Sequence, residues 1–175
     1  MLYVLSNSLS SLKLILYLSV PMRELMNLCV FDLDSKCIDI GCGKGQDIEF
    51  LKYLGINIVG YDRYNNKFKD DKLLENTYDI VTCNYVFNVI YDLQEHKELL
   101  NNIKEIGNNI YISVRSDDRA IKDTWEYIKE NDCWKTPKNT YQRFYTEEMI
   151  NTYFGQVEYI INNGSLKLFK LVNKI

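Results

Sequence analysis

Short apolar runs alternate along the chain with stretches in which apolar residues recur three and four positions apart. That rhythm predicts a layered α/β domain. Lys36 to Ile40, Ile56 to Tyr61, Tyr78 to Asn84 and Asn109 to Val114 read as strands. Asp79-Ile80-Val81-Thr82-Cys83 is the clearest, a short apolar run suited to a parallel strand buried on both faces. Residues 46 to 54 read as a helix ended by Gly55 as a C-cap. Residues 91 to 105 read as another, with Leu93, Leu99, Leu100 and Ile103 at helical spacing. Residues 118 to 130 predict a further helix, and Thr146 with Glu147 opens a short one. Val157 to Ile161 and Leu166 to Leu171 flank Asn162-Asn163-Gly164-Ser165, the pattern of a β-hairpin. Upstream, residues 9 to 30 predict one or two helices, with Pro21 in a first turn.

Strands alternating with helices and ending on a hairpin predict a mostly parallel sheet with a C-terminal antiparallel hairpin, one antiparallel edge strand and helices on both faces. Ligands of such sheets sit beyond the carboxyl ends of the strands. Here that means just after residues 40, 61, 84 and 114. A length of 175 residues predicts a single domain over 1–175, with 1–34 as an N-terminal helical extension.

Charge and cysteine usage narrow the picture. A net charge of −3 argues against unaided nucleic-acid binding, which draws its affinity from cationic contacts to phosphate. The five cysteines form no Cys-x-x-Cys pair, and His96 is the only histidine, so no zinc site and no metal is expected. Free thiols in a reducing cytoplasm are the expectation. The apolar stretch from Leu12 to Val20 is too short to span a bilayer and lacks the flanks of a signal peptide. His96, between Glu95 and Lys97, is expected on a solvated helix face. Trp125 and Trp134 are expected in core or lid packing more often than as platforms for a base.

The candidate chemistry centres on Asp39-Ile40-Gly41-Cys42-Gly43-Lys44-Gly45, which leaves a strand and enters a helix. Glycines there allow a sharp turn and close approach of a ligand. The spacing is Gly-x-Gly-x-Gly, not the Gly-x-Gly-x-x-Gly of dinucleotide sites, and Asp39 would repel a diphosphate but not a cationic ligand. Asp62, at the end of the next strand, occupies the place of a carboxylate that accepts hydrogen bonds from ribose hydroxyls.

Together these residues resemble class I S-adenosylmethionine-dependent methyltransferases of Rossmann-like fold, over about residues 36 to 115. The resemblance implies S-adenosylmethionine as cofactor, held by Asp39, Ile40, Gly41, Cys42, Gly43, Asp62, Arg63, Asn84 and Tyr85. Gly41 to Gly43 would lie against the methionine part, Asp39 near its amino group, and the residues after Asn84 beside the methyl group. Asp70 or Asp71 could approach the adenine amine, but only 16 residues (63–78) separate Asp62 from Asp79, so the usual intervening helix and strand must be short or missing.

Asn84 to Ile90, Ser113 to Asp117 and Thr140 to Tyr145 add a narrower resemblance, to a small group of bacterial and phage methyltransferases that includes proteins associated with DNA phosphorothioation. It implies a nucleic-acid or nucleotide-like acceptor, while the acidic composition favours a small molecule or one delivered by a protein partner. Asn88, Arg115, Gln142 and Arg143 are the candidate acceptor-side residues. Each has a plainer alternative: a helix cap for Asn88, an ion pair with Asp117 or Asp118 for Arg115, and loop anchoring for Gln142 and Arg143. No Pro-Pro or Pro-Cys dipeptide and no three-cysteine cluster is present, which disfavours adenine N6, cytosine N4, cytosine C5 and radical enzymes of standard design. No catalytic base stands out. Two other readings stay open: a non-catalytic subunit of a modification or defence complex, and a nucleotide- or NAD-binding enzyme.

Overall fold

The computed structural model describes residues 17–116 and 118–172. In chain order they form α1 (Val20–Asn27), β1 (Cys37–Ile40), α2 (Gln46–Tyr53), β2 (Ile58–Tyr61), β3 (Tyr78–Asn84), α3 (Leu93–Ile106) and β4 (Gly107–Arg115). β5 (Glu126–Ile128), β6 (Cys133–Lys135), β7 (Tyr141–Gln142), α4 (Glu147–Phe154), β8 (Val157–Asn162) and β9 (Leu166–Leu171) follow. The expected helical segment 9–30 is represented by α1, with Pro21 in its first turn; its part up to residue 16 lies outside the described residues.

The main sheet has the order β2-β1-β3-β4-β9-β8. β2, β1, β3 and β4 are parallel, with Cys37 opposite both Ile58 and Ile80, and Val81 opposite Ile110. β9 runs antiparallel to β4 and to β8. The antiparallel strand therefore lies one place in from the edge. Leu166, Lys167, Leu168 and Phe169 are all buried, which suits a strand covered on both faces, and the half-buried β8 takes the edge.

Alternation along the strands divides the core in two. Cys37, Ile58, Ile80, Tyr111 and Leu168 face Met22 and Leu25 of α1 and Ile48 and Leu51 of α2. Ile38, Ile40, Val81, Cys83, Ile110 and Phe169 face Leu100, Ile103 and Ile106 of α3 and Ile150 and Phe154 of α4. Between β2 and β3 the chain makes only a 3-10 turn, Asp71–Glu75. On the α3 face, Val59 and Tyr61 of β2 are thus left only partly covered, with Leu73 and Leu74 of that turn and Leu99 of α3 nearby. A cavity opens there.

Residues 118–130 are not a helix. They form a 3-10 turn (Asp118–Ala120), β5, and a second 3-10 turn (Lys129–Asn131). β5, β6 and β7 make a small antiparallel sheet. Tyr127 and Trp134 pair directly across it with ring centroids 5.1 Å apart. Aromatic cross-strand pairs of this kind stabilise a sheet, and here they override the local helical pattern. Among the described residues no helix is long and apolar enough to cross a membrane.

Candidate functional site

The glycine loop begins where β1 ends. Gly41 has φ +75°, and a Cβ there would lie 2.2 Å from Cγ2 of Val86, so both its backbone and the neighbouring loop demand glycine. The amides of Gly41 and Cys42 donate to the carbonyl of Tyr61, and that of Gly45 to the carbonyl of Cys42. The Gly43 amide donates to Oδ2 of Asp62 at 2.9 Å. These four amides are spent on protein oxygens, so they do not form a cradle for phosphate. The Cys42 side chain turns away toward Gly60, where a Cβ would meet its Sγ at 2.7 Å, and burial pushes its thiol up to about 12.

Asp62 follows β2. Its Oδ1 accepts from the Tyr64 amide at 2.9 Å while Oδ2 holds Gly43. A carboxylate has about four acceptor positions, so both oxygens can still accept from a ligand diol. The segment after it is tied back onto the glycine loop, Asn65 Nδ2 donating to the Gly43 carbonyl at 2.7 Å.

Asp39 lies beneath the loop, 4% exposed. Thr82 Oγ1 donates to its Oδ1 at 2.7 Å. Burial pushes the carboxyl up to about 7; the Thr82 hydroxyl opposes this, and the charges of Asp47 and Asp62 add to it. Asn84 Oδ1 accepts from Ser113 Oγ at 2.8 Å. Its Nδ2 lies close enough to Asp39 to favour the ionised form, yet it is buried without a hydrogen-bond partner. A buried donor without a partner beside a buried carboxylate is costly, and a ligand with complementary charges would satisfy both.

Ile40, Gly41, Asp62, Arg63, Asn84 and Tyr85 all line one cavity of about 770 Å³. Asp71, Leu74, Leu99 and Ile103 also line it, as do Val89, Tyr91, Glu95 and Tyr141. Asp71 Oδ1 accepts from the Tyr61 hydroxyl at 2.8 Å, whereas Asp70 caps its own turn through Lys72 N. Arg63 and Glu95 form an ion pair between β2's loop and α3. Tyr85 has φ +60°, a strained backbone for a non-glycine residue, and burial raises its hydroxyl.

The acceptor-side candidates fall elsewhere. Asn88 is buried; its Oδ1 accepts from the Arg115 amide at 3.0 Å and its Nδ2 donates to the Arg143 carbonyl. It joins loops and does not cap a helix, a part played for α3 by Asp92. Arg143 is fully buried. Its guanidinium donates to the carbonyls of Ile90, Tyr91, Asn131 and Asp132 and to the Tyr145 hydroxyl. Arg143 is therefore a clamp, with its donors engaged by protein. Gln142 is half-buried on β7 opposite Trp134, its Oε1 without a partner. Arg115 is exposed at the end of β4, and none of these four lines the cavity.

His96 is a correction. It is 1% exposed, packed by Phe87, Tyr153 and Phe154, with Nε2 3.0 Å from the Tyr145 hydroxyl. That hydroxyl donates to the Phe87 carbonyl at 3.0 Å, which places a proton on Nε2. Burial, with Arg143 adding to it, pushes the imidazole down to about 4. The expected exposure ignored the spacing of His96, Leu100 and Ile103, one buried stripe of α3. The cavity residues that sequence reasoning missed include Tyr91, Glu95 and Tyr141. Glu95 and Leu99 share the helical spacing that could have signalled a second face of α3; Tyr141 lies in the Thr140–Tyr145 run, in which only Gln142 and Arg143 stood out as candidates. Trp125 stacks on Phe144 and Trp134 packs on Tyr127.

Fold and site together define a Rossmann-like α/β protein with a ligand cleft at the carboxyl ends of its parallel strands. The chain belongs to the methyltransferase-domain family, whose model matches residues 16–159. A sequence search of curated proteins gave no match. Solved structures share the fold. The PH0226 protein of Pyrococcus horikoshii OT3 is 13% identical, with a TM-score of 0.66 over 96% of this chain and 93% of that one. A S-adenosylmethionine-dependent methyltransferase of Clostridium acetobutylicum ATCC 824 is 16% identical, TM-score 0.59, over 87% and 91%. The magnesium protoporphyrin IX methyltransferase of Synechocystis PCC 6803, with bound SAM, is 15% identical, TM-score 0.51, over 87% and 75%.

Proposed function

We propose that this methyltransferase uses S-adenosylmethionine, held in the cavity between the glycine loop and α3. The observation that carries the reading is the buried Asp39 beside the orphan Nδ2 of Asn84, under a loop whose amides are engaged by protein. Asp39 would face the ammonium group and Asn84 the carboxylate of the methionine part. Asp62 would accept from the ribose hydroxyls. Leu74, Leu99 and Ile103 offer apolar cover for the adenine. The cofactor supplies an electrophilic methyl group on sulfur. The residues around it position and desolvate, because an activated donor needs little else.

For the acceptor, the narrower sequence resemblance, to methyltransferases including those associated with DNA phosphorothioation, supports a nucleic-acid or nucleotide-like molecule. The net charge of −3 supports a small base-bearing member of that class, or delivery by a protein partner. Free thiols at all five cysteines support a cytoplasmic setting. Transfer of radiolabelled methyl from S-adenosylmethionine to acceptors in a cell extract tests the reading. At limiting cofactor, incorporation that falls roughly tenfold or more in Asp62→Ala is expected; binding of cofactor without any incorporation would instead favour a non-catalytic subunit.

A further inference from the structure

The cavity has walls that the cofactor does not explain. Val89 is 50% exposed and Tyr91 38% exposed, yet both face the cleft together with Tyr141. The two tyrosine rings lie 4.4 Å apart between centroids, tilted by 37°. Large apolar groups left open inside a cleft mark a surface that a ligand covers.

This platform is held rigidly from behind. Arg143 Nη1 donates to the Ile90 carbonyl at 3.2 Å and Nη2 to that of Tyr91 at 3.4 Å. Asn131 Nδ2 also donates to the Tyr91 carbonyl, at 3.1 Å. The Arg143 amide, next along the chain from β7, donates to the Asn88 carbonyl at 2.7 Å. Tyr91 and Tyr141, far apart in sequence, are thereby fixed as one surface before any ligand arrives, which lowers the entropic cost of binding.

Charge restricts what can lie there. The acidic side chains in the lining are Asp62, Asp71, Glu95 and Glu98; the basic ones are Arg63 and Lys69. Arg63 and Glu95 pair with each other, which leaves Asp62, Asp71 and Glu98 against Lys69. A phosphate entering this cleft would meet more carboxylate than cation. A neutral or cationic ring would meet aromatic faces that stack it and carboxylates that attract it.

We infer that Tyr91, Tyr141 and Val89 form the acceptor subsite, and that it takes a small planar aromatic molecule free of phosphate, neutral or cationic. The inference rests on the methyltransferase reading above and narrows its acceptor to base-like small molecules.

Calorimetry on the full chain, first titrated with S-adenosylhomocysteine, separates the two. No binding of S-adenosylhomocysteine would defeat the cofactor reading itself. On the loaded protein, the probes are adenine, adenosine and tryptamine, then adenosine 5′-monophosphate, then a single-stranded oligonucleotide. At least one phosphate-free probe is expected to bind, with the monophosphate about tenfold weaker or worse. Replacing both tyrosines by alanine should weaken that probe roughly 5- to 100-fold, as loss of stacking does. Tyr91→Phe with Tyr141→Phe should keep it within about threefold, since the rings remain. S-adenosylhomocysteine affinity and the melting temperature of the loaded protein report on folding of each variant. Failure of every phosphate-free probe on loaded protein, tighter binding of the monophosphate or oligonucleotide, or an unchanged affinity in the alanine variant would each overturn the proposal.

Discussion

The two ends of the cavity are built on different principles. At the glycine-loop end the groups are polar: a carboxylate buried beneath β1's exit, a second at the exit of β2, and an unpartnered amide nitrogen at the exit of β3. All three come from strand ends that the parallel sheet places side by side. At the far end, Tyr91 and Tyr141 present rings, and no sheet register pairs them with each other; the Arg143 guanidinium and amide, with Asn131, hold them together. Secondary structure alone can position the first end. The second depends on long-range hydrogen bonds and is the end more easily lost.

The largest expected effect follows from that dependence. Arg143→Met strips four carbonyls and a hydroxyl of a buried donor. Removing one partner from such a network costs about 4 kcal/mol, which lowers the melting temperature by roughly 10 °C in a chain of this size. Thermal denaturation checks this, and a shift under about 2 °C would contradict the clamp.

Asp39→Asn breaks the other end, with opposite signs for stability and binding. The folded carboxyl titrates near 7, above its ordinary value of 3.8. The unfolded chain therefore releases this proton first, and the ligand-free protein loses stability as pH rises from about 4 through 7, by about 3 kcal/mol. Asp39→Asn should abolish that slope and be the more stable protein at pH 8. It should bind S-adenosylhomocysteine more weakly, whereas wild-type affinity should rise as pH passes 7. Denaturant melts and titrations across pH 5 to 9 would show both.

His96 gives a smaller, acid-side effect. Its imidazole, normally near 6.5, is held near 4. The unfolded chain takes the proton first, so stability is full above 6.5 and falls by about 2 kcal/mol on acidification toward 4.5. His96→Phe should flatten the His96 contribution in that window, as read by urea unfolding. The smallest change belongs to the bridge between the ends: Arg63→Ala removes an exposed pair with Glu95 and should alter stability by less than about 1 kcal/mol.

What could be read from the sequence divides along the same line. The path from Asp39 through Gly45 to Asp62 is local, and its spacing alone brings Gly41, Asp62, Asn84 and Tyr85 to one cavity once the strands are placed. The hairpin was legible from Asn163-Gly164, though its inner position was not, because that depends on β9 pairing with β4. Residues 118–130 were misread because charged residues imitate a helix, while the pairing that makes β5 lies with β6 and is non-local. For Arg143 the sequence left two parts open, donor to an acceptor molecule or anchor of its loop, and the structure shows the anchor. Nothing in Gln142-Arg143-Phe144 reveals that the carbonyls of Ile90 and Asn131 surround it. His96 carried its own signal in the buried stripe it shares with Leu100, and its charged neighbours obscured it.

The central claim is that Asp39, Asn84 and Asp62 select a nucleoside that carries a zwitterionic amino-acid group and no phosphate. Calorimetric titration of wild type and Asp62→Ala with S-adenosylmethionine, S-adenosylhomocysteine and NAD tests it most directly. The account predicts micromolar binding of the first two, none of NAD, and roughly a tenfold or greater loss in the variant, the cost of one charged hydrogen-bonding group. Binding of NAD in preference, or an Asp62→Ala variant that binds S-adenosylmethionine as well as wild type, would contradict it.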